Sequence, residues 1–479
     1  MNKKNRLWYY IIPVMGAAFC LWYLNTCFYD VVYSDYIRLV TSYLPDVWNP
    51  DKFFVPDMLT RVPANYLARI INTTFFHYSV RFDQVLGVLS LGASALILAY
   101  YCIRRDIGAA WFAALMIMMF SLNKWEMLNN GSGWVHFLAF VGFYYHYLVW
   151  DRVWTGQEKK GDHIRLLVLP WIVILGIAGP YCAVYEAVLL VGYGFCMVVR
   201  WLRSKVWEKR YLAYAGSSLV PFVMYLWSNA QVVPDWEGYS VAEGSIFQYL
   251  LDVPGYFVRF VLKSLSSIVV GQEAASQLFA GNGPYLVLGL LVAAAYLLAL
   301  WYQFRYRLYE KTLMPMILIV SGAMNHLLIL WSRWSFLRED YGMSSRYALQ
   351  FQVGILGILL TFALMWRYGR SSNGDEKNAV GGNEDMKNAA AAVRRVLLAA
   401  LTIMFLAGNG LTTWKELKTA PYRKEYCQKR AQIALDFENK TDDELRAAFE
   451  FRTSWSESGP MVRQALTILK ENNWNVFHE

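Results

Sequence analysis

The sequence predicts an all-α integral membrane protein with about eleven transmembrane helices. Of its 479 residues, 57% are hydrophobic and 17% are aromatic. Charged residues make up 17% of the chain, against about 25% in a typical soluble domain. A transmembrane helix needs about 20 predominantly apolar residues, and eleven stretches approach that length. They lie at 7–28, 84–102, 107–122, 133–150, 166–181, 182–199, 211–229, 284–302, 312–331, 347–366 and 395–411.

The charges of the connecting segments predict how these helices are oriented. Lys and Arg concentrate before the first stretch and in every second connection, whereas 179–182 has neither residue and 123–133 has only Lys124. Because Lys and Arg are retained on the cytoplasmic side of a membrane, we expect a cytoplasmic N-terminus and an exofacial C-terminus in the inner (plasma) membrane. The predicted cytoplasmic segments are 1–6, 103–106, 151–165, 200–210, 303–311 and 367–395.

Composition and missing motifs narrow the function classes. Most of the formal net charge of +9 lies in the predicted cytoplasmic turns, so membrane lipids are expected partners and nucleic acid is not. The six cysteines show no CxxC or CxC spacing, which predicts neither a disulfide framework nor a metal cluster. The chain also lacks GxxxxGK[ST], HExxH and GxSxG, the signatures of nucleotide hydrolysis and of common hydrolases.

Three long segments lie outside the membrane in this arrangement, and we expect them to carry the function. Segment 29–83 has the apolar periodicity of two amphipathic helices on the membrane surface. Segment 230–283 contains an apolar run over 246–270 that Asp, Arg, Lys and Pro interrupt. Charges within a span are costly, so a surface-lying or re-entrant helix is predicted there. The third segment is the tail, 412–479.

The tail follows a transmembrane domain that covers residues 1–411. Within that domain, 368–394 is rich in Gly, Asn and charged residues and predicts a flexible cytoplasmic linker. The tail has helical patterning and a capping-box signal at Thr441 and Glu444. It is predicted to form a small helical exofacial domain, or a plug packed on the membrane part.

Candidate chemistry begins at Asp35, a few residues past the first span. A carboxylate at the boundary between water and lipid could deprotonate an acceptor hydroxyl or hold a divalent cation. The alternative is a structural role in which Ser34 or Asp35 caps the helix that follows.

A second candidate is Glu126, at the exofacial end of the third span. It lies among Asn, Gly and Ser residues between Trp125 and Trp134, a composition suited to sugar hydroxyls and ring faces. An interfacial aromatic belt followed by a turn is the alternative interpretation.

Three arginines occur in an exofacial turn, where the topology bias does not explain them. They are Arg333, Arg338 and Arg346, and the last enters the tenth span. A phosphate is a natural partner, because a guanidinium binds its oxygens bidentately. Pairing with Glu339 or Asp340 is the alternative.

Four short features occur together in this chain. Tyr33-Ser34-Asp35-Tyr36 follows the first span inside a long loop, and a Trp/Glu/Asn-rich turn at 123–134 precedes an aromatic span. Ser345-Arg346-Tyr347 enters a late span, and a polar tail ends in Asn475-Val476-Phe477. In combination they resemble the GT-C superfamily of polytopic membrane glycosyltransferases, most closely its bacterial envelope members.

This resemblance implies an enzyme that transfers a sugar from a polyprenyl-phosphate-linked donor to an envelope glycan, lipid or protein on the outer face of the membrane. By analogy Asp35 is the catalytic base or the ligand of a divalent cation (Mg²⁺ or Mn²⁺), and Arg346 binds the carrier phosphate. Many members carry paired acids in the first loop, whereas here Asp35 stands between Ser34 and Tyr36, which leaves Asp30 as a competitor and the metal requirement open. Glu126 is the second catalytic candidate, and the other candidate substrate-binding residues are Arg333, Arg338, Tyr347, Trp125, Trp134 and Arg61.

Two further function classes fit the same layout. A transporter or flippase for lipid-linked glycans would also need exofacial basic residues, but it should carry polar groups near the middle of several spans. A non-catalytic envelope-assembly protein would keep the fold with degenerate sites.

Overall fold

The computed structural model describes residues 3–54, 62–229, 242, 244–375, 384–451 and 455–478. Within these ranges the chain forms α-helices joined by turns and short 3₁₀ helices, and it forms no β-strand. In chain order the α-helices are α1 (Lys3–Cys27), α2 (Asp35–Tyr43), α3 (Pro63–Phe76), α4 (Val80–Arg104), α5 (Ala109–Phe120), α6 (Trp125–Asn129), α7 (Trp134–Trp154), α8 (Asp162–Gly176), α9 (Cys182–Ser204), α10 (Arg210–Asn229), α11 (Ile246–Asp252), α12 (Pro254–Ser266), α13 (Gln272–Ser276), α14 (Gly283–Arg305), α15 (Leu308–Lys311), α16 (Met314–Arg333), α17 (Ala348–Asp375), α18 (Glu384–Leu435), α19 (Asp442–Phe449) and α20 (Trp455–Glu471).

All eleven predicted transmembrane stretches overlap one of these helices. Among the described residues, seven helical segments are long and apolar enough to cross a membrane, the pattern of a multi-pass helical membrane protein. The other four stretches lie on α5, α7, α8 and α10, and α5 and α8 have only 12 and 15 residues. The total of about eleven crossings therefore stays a prediction. The seven segments are Arg6–Cys27, Val80–Arg104, Gly179–Ser204, Gly283–Arg305, Met314–Phe336, Ser345–Arg367 and Ala391–Leu435.

Helix α17 forms the centre of the bundle. Its Phe351, Ile355 and Leu359 are fully buried, and it packs along α16, α14 and α5. Contact with α16 is close because two glycines face each other, and a Cβ added to Gly322 would lie 2.3 Å from the Cα of Gly354. Small residues allow this approach of two helix backbones, as is common between membrane helices.

Predicted cytoplasmic connections meet at one end of the bundle, here called the basic end (residues 104–108, 151–162, 200–210, 305–313 and 367). Arg105 forms an ion pair with Asp151, and Asp151 also accepts hydrogen bonds from Thr312 Oγ1 at 2.7 Å and from the Leu313 amide at 2.6 Å. Arg367 pairs with Asp106 across the same end at 3.2 Å.

The predicted exofacial segments meet at the opposite end, here called the loop end (residues 28–54, 62–79, 121–134, 334–347, 436–451 and 455–478). The Ser34 amide donates to the carbonyl of Phe449 at 2.8 Å, and the Asn475 amide donates to that of His77 at 2.7 Å. Helix α1 connects the two ends, because Tyr9 bonds to Ile107 at the basic end. The grouping agrees with the alternation of charge, while the side that faces the cytoplasm stays a prediction.

The tail packs onto the first loop. Helix α20 covers α2, whose Tyr36, Ile37 and Val40 are fully buried, so α2 lies between layers of protein and not on an open surface. The predicted capping box is confirmed, since Thr441 and Glu444 exchange both of its hydrogen bonds.

The end of the transmembrane domain differs from its prediction. Helix α18 runs unbroken from Glu384 to Leu435, so the last apolar stretch and the first tail helix form one element. Helices α17 and α18 also cover most of the predicted linker 368–394, and residues 376–383 lie outside the described part of the chain.

The apolar run over 246–270 forms two helices. The break falls at Pro254, which lacks an amide hydrogen and restricts the residue before it. Helix α11 has no buried residue, whereas α12 packs between α14 and α16 with Phe260 fully buried. A Cβ added to Gly289 of α14 would lie 2.2 Å from the carbonyl oxygen of Leu262. This half of the run is therefore part of the bundle and does not lie on its surface.

Candidate functional site

The turn after α5 is fixed from several sides before it presents Glu126. Lys124 is buried, and its Nζ donates to the carbonyls of Met119 at 3.0 Å and Ser121 at 2.8 Å. These carbonyls have no partner within the ending helix, so the lysine acts as a C-terminal cap. Burial lowers the pKa of Lys124 to about 8. Asn123 ties the same turn to the carbonyl of Ser267 at 2.7 Å.

Glu126 and Arg346 form the centre of the site. They make an ion pair that joins α6 to the 3₁₀ turn at Ser345–Tyr347, and the carboxylate also accepts from Ser345 Oγ at 3.0 Å. The Arg346 side chain is 46% exposed and that of Glu126 is 22% exposed. Arg346 bonds to the carboxylate through Nε, and its two Nη groups donate no hydrogen bond to a described residue.

Asp35 lies at the first position of α2, within electrostatic range of Arg346. Its carboxylate is half-buried, and Asn130 Nδ2 is 3.5 Å from Oδ2. Ser34 occupies the N-cap position, but its side chain makes no capping hydrogen bond. Ser34 has a φ of 52°, a left-handed conformation that is strained for a residue with a side chain. The tail stabilises that conformation through the bond from the Ser34 amide to Phe449.

Asp30 and Asp83, two other acids of the first loop, have structural partners. Asp30 accepts from the amide of Val80 at 2.8 Å and from Ser79 Oγ, so it caps α4. Burial raises the pKa of Asp30. Asp83 is fully buried in an ion pair with Arg69. The carboxylate of Asp30 is thus bonded to the start of α4 and not to the Glu126–Arg346 pair. Asp35 is the acid of the first loop that lies beside this pair.

The aromatic candidates separate in the structure. Trp125 is half-buried next to Glu126, and the guanidinium carbon of Arg423 lies 3.2 Å from its ring centroid. Trp134 is buried against Val62 and Ala68 in a small separate cluster. Trp125 is therefore part of the site surface, whereas Trp134 belongs to the packing beneath α3.

Two further basic candidates lie in or beside the turn at 334–347. Arg333 Nε donates to the hydroxyl of Tyr347 at 2.9 Å. Arg338 forms an exposed pair with Asp340 at 3.1 Å, as the pairing alternative expects for this arginine. That alternative fails for Arg346, whose partner is Glu126. Arg61 lies outside the described residues.

Glu339, the other acid of that turn, takes its partners from α12. Its carboxylate accepts from Arg259 Nε at 2.7 Å and from Lys263 Nζ at 3.1 Å. Burial alone would raise the pKa of Glu339, but these two cations hold it below its usual value. The two basic residues that interrupt the apolar run over 246–270 thus share one carboxylate at the loop end.

Sequence reasoning missed one polar cluster next to the site. Arg423 of α18 binds Glu416 bidentately at 2.7 and 2.9 Å, and Tyr23 of α1 donates to the same carboxylate at 2.6 Å. The available signal was an acid and a base seven residues apart, two helical turns, just beyond the last apolar stretch. Through the contact of Arg423 with Trp125, this cluster braces the site from the side of α18.

A resident metal centre does not fit the donor set of this site. Among the described residues no three His, Cys, Asp or Glu side chains come together as metal ligands. Glu126 is already bonded to Arg346, and Asp35 belongs to no such group of three. A divalent cation held by one protein carboxylate would need most of its oxygen ligands from substrate and water.

Comparison with known proteins gives no relative from which a role could be transferred. The chain matches no family model, no curated protein and no solved structure. The assignment of function therefore depends on the chemistry of the loop end itself.

Proposed function

We propose that this protein transfers a glycosyl group from a polyprenyl-phosphate donor to a hydroxyl of an envelope glycan, lipid or protein. The observation that carries the proposal is the grouping of Asp35, Glu126 and Arg346 at one end of an apolar helix bundle, with Asp35 and Arg346 both partly exposed. A base and an anion-binding group are the two functions that such a transfer requires.

In this proposal Asp35 accepts the proton of the acceptor hydroxyl as its oxygen attacks the anomeric carbon of the sugar. The bond from that carbon to the phosphate oxygen breaks, and polyprenyl phosphate leaves with the bonding electron pair. Arg346 stabilises the negative charge that develops on the leaving phosphate, because its Nη groups are free of hydrogen bonds to described residues.

Glu126 serves as a positioning residue in this arrangement. Its bond to Nε fixes the guanidinium plane, and Ser345 fixes the carboxylate in turn. The edge of Arg346 that carries the Nη groups is then the edge offered to a phosphate. A guanidinium group held in this way loses less side-chain entropy when it binds a phosphate.

A lipid-linked donor explains why these charged groups lie where they do. The Ser345–Tyr347 turn leads directly into the apolar helix α17, so Arg346 lies at the end of a segment long and apolar enough to span a membrane. A phosphate at the lipid–water boundary would be at that level while its polyprenyl chain remained in the bilayer. A soluble nucleotide-sugar donor would have no need of this position.

Donor binding by arginine variants tests this assignment. Arg346→Ala is expected to weaken binding of a polyprenyl-phosphate sugar by about ten- to a hundredfold, the usual loss for a charged hydrogen bond. Arg346→Lys should recover only part of it, because an ammonium lacks the bidentate geometry. The measurement is the dissociation constant of a fluorescent donor in nanodiscs.

Arg338→Ala is the matched control, since Arg338 belongs to the same exofacial segment but is paired with Asp340 at the surface. It should bind the donor like the parent protein. Equal affinity for the parent and a folded Arg346→Ala variant would remove Arg346 from the proposal.

A further inference from the structure

A cavity of about 350 Å³ lies between α4, α7 and α8, near the basic end and away from the site. Three of its lining residues are apolar and are here called the floor (Leu96, Ile97 and Leu148). The other lining residues, here called the rim, are two tyrosines and three cations (Tyr100, Tyr145, Arg152, Lys159 and Arg165).

The cations of this rim exceed the acids available to neutralise them. Asp162 accepts from Arg152 at 2.8 and 2.7 Å and from Arg165 at 2.6 Å, so two arginines share one carboxylate. Lys159 has no carboxylate partner among the described residues, and its Nζ lies 5.2 Å from the ring centroid of Tyr100. The rim therefore has an excess of positive charge.

Arg104 lies beside this group of cations, although it does not line the cavity itself. Its guanidinium carbon lies 5.8 Å from the ring centroid of Tyr100, the same ring that Lys159 covers. Its Nη2 donates to Gln157 at 2.7 Å, but Nη1 is buried without a hydrogen-bond partner among the described residues. A buried donor on a cation is costly to leave unpaired.

The floor of the cavity points to the kind of anion. Leu96 lines the cavity and is itself 37% exposed, and Leu89, two turns away on the same side of α4, is 57% exposed. The floor thus continues into exposed apolar surface on α4. A free phosphate or a nucleotide would gain nothing from such a floor, whereas an acyl chain would.

We propose that this cavity binds an anionic phospholipid. Its phosphate lies within reach of Lys159 and Arg165, and its acyl chains lie along Leu96 and Leu148. Basic pockets between transmembrane helices are suited to this ligand, because they combine charge with an apolar wall. The site is independent of the glycosyl transfer proposed for the loop end.

Lipid binding to the purified protein tests the proposal, with native mass spectrometry as the readout. Phosphatidylglycerol should bind more tightly than phosphatidylcholine. Lys159→Ala should weaken phosphatidylglycerol binding about fivefold, the effect of one cation near a lipid head group. Lys160→Ala is the matched control, because it removes the same charge at the next position. The Lys160 side chain is exposed and does not line the cavity.

Three results would overturn the proposal. They are equal affinity for the two lipids, an equal loss in Lys159→Ala and Lys160→Ala, and displacement of the lipid by inorganic phosphate alone. The melting temperature in phosphatidylcholine checks that both variants are folded. If Lys159→Ala fails this check, Leu96→Gln replaces it and should also weaken phosphatidylglycerol binding, through the acyl-chain contact.

Discussion

Replacing Asp35 by asparagine is expected to reduce the rate of glycosyl transfer by roughly 10²–10⁴, the range usual for loss of a general base. The side chain keeps its size, and the N-cap of α2 is Ser34, so the substitution leaves the capping position unchanged. The side chain loses its negative charge and its basicity. Transfer rate and melting temperature should be measured on the same preparation, and only the rate should change.

Asp46→Asn is the control for this experiment, because it removes an exposed acid of the same loop. It should transfer like the parent. Full activity in Asp35→Asn would refute the catalytic role. Asp30 would be a poor replacement, since its carboxylate already caps α4 through Val80 and Ser79. Glu126 would then be the next candidate for the catalytic base.

The second large effect is expected beneath the site, at the ion pair of Arg69 and Asp83. Both side chains are fully buried, and Tyr36 donates to the same carboxylate at 2.6 Å. Arg69→Met leaves Asp83 as a buried charge without its cation, which should lower the free energy of unfolding by about 3–5 kcal/mol. Denaturant titration in mixed micelles measures this change in the free energy of unfolding.

Two further variants separate this explanation from a general loss of packing. Arg338→Met breaks an exposed pair and should change stability little. Arg69→Met combined with Asp83→Leu removes both charges and should recover much of the loss, because a buried pair contributes little net stability. If the double variant is no more stable than Arg69→Met, the buried charge is not the cause.

The sequence was sufficient to locate the helices and to group the loops. Apolar stretches of membrane-spanning length mark their helices directly, and the distribution of Lys and Arg separated the connections into the two sets that meet at opposite ends. Local chemistry was equally readable at Thr441 and Glu444, where the capping box formed as predicted. These features depend on residues that are neighbours in sequence.

Features that depend on long-range packing could not be read in this way. The sequence left a surface-lying and a re-entrant helix both open for the run over 246–270, because the partner of Lys263 is Glu339, 76 residues away. The same limit applies to the site. Asp35, Glu126 and Arg346 were each singled out, but the ion pair between the last two spans 220 positions. Arg423 was missed because its contact with Trp125 exists only in the fold.

The most direct test of the account is turnover of a lipid-linked donor by the purified full-length protein. The protein should be reconstituted with each member of a panel of polyprenyl-phosphate sugars, and envelope extract should supply the acceptors. The release of free polyprenyl phosphate should then be followed over time. We expect release from at least one donor by the parent protein and at most about one hundredth of that rate with Asp35→Asn. The contrary result is that every donor of the panel stays intact, although one of them binds or crosses the membrane. This result would contradict glycosyl transfer and favour a transporter of lipid-linked glycans.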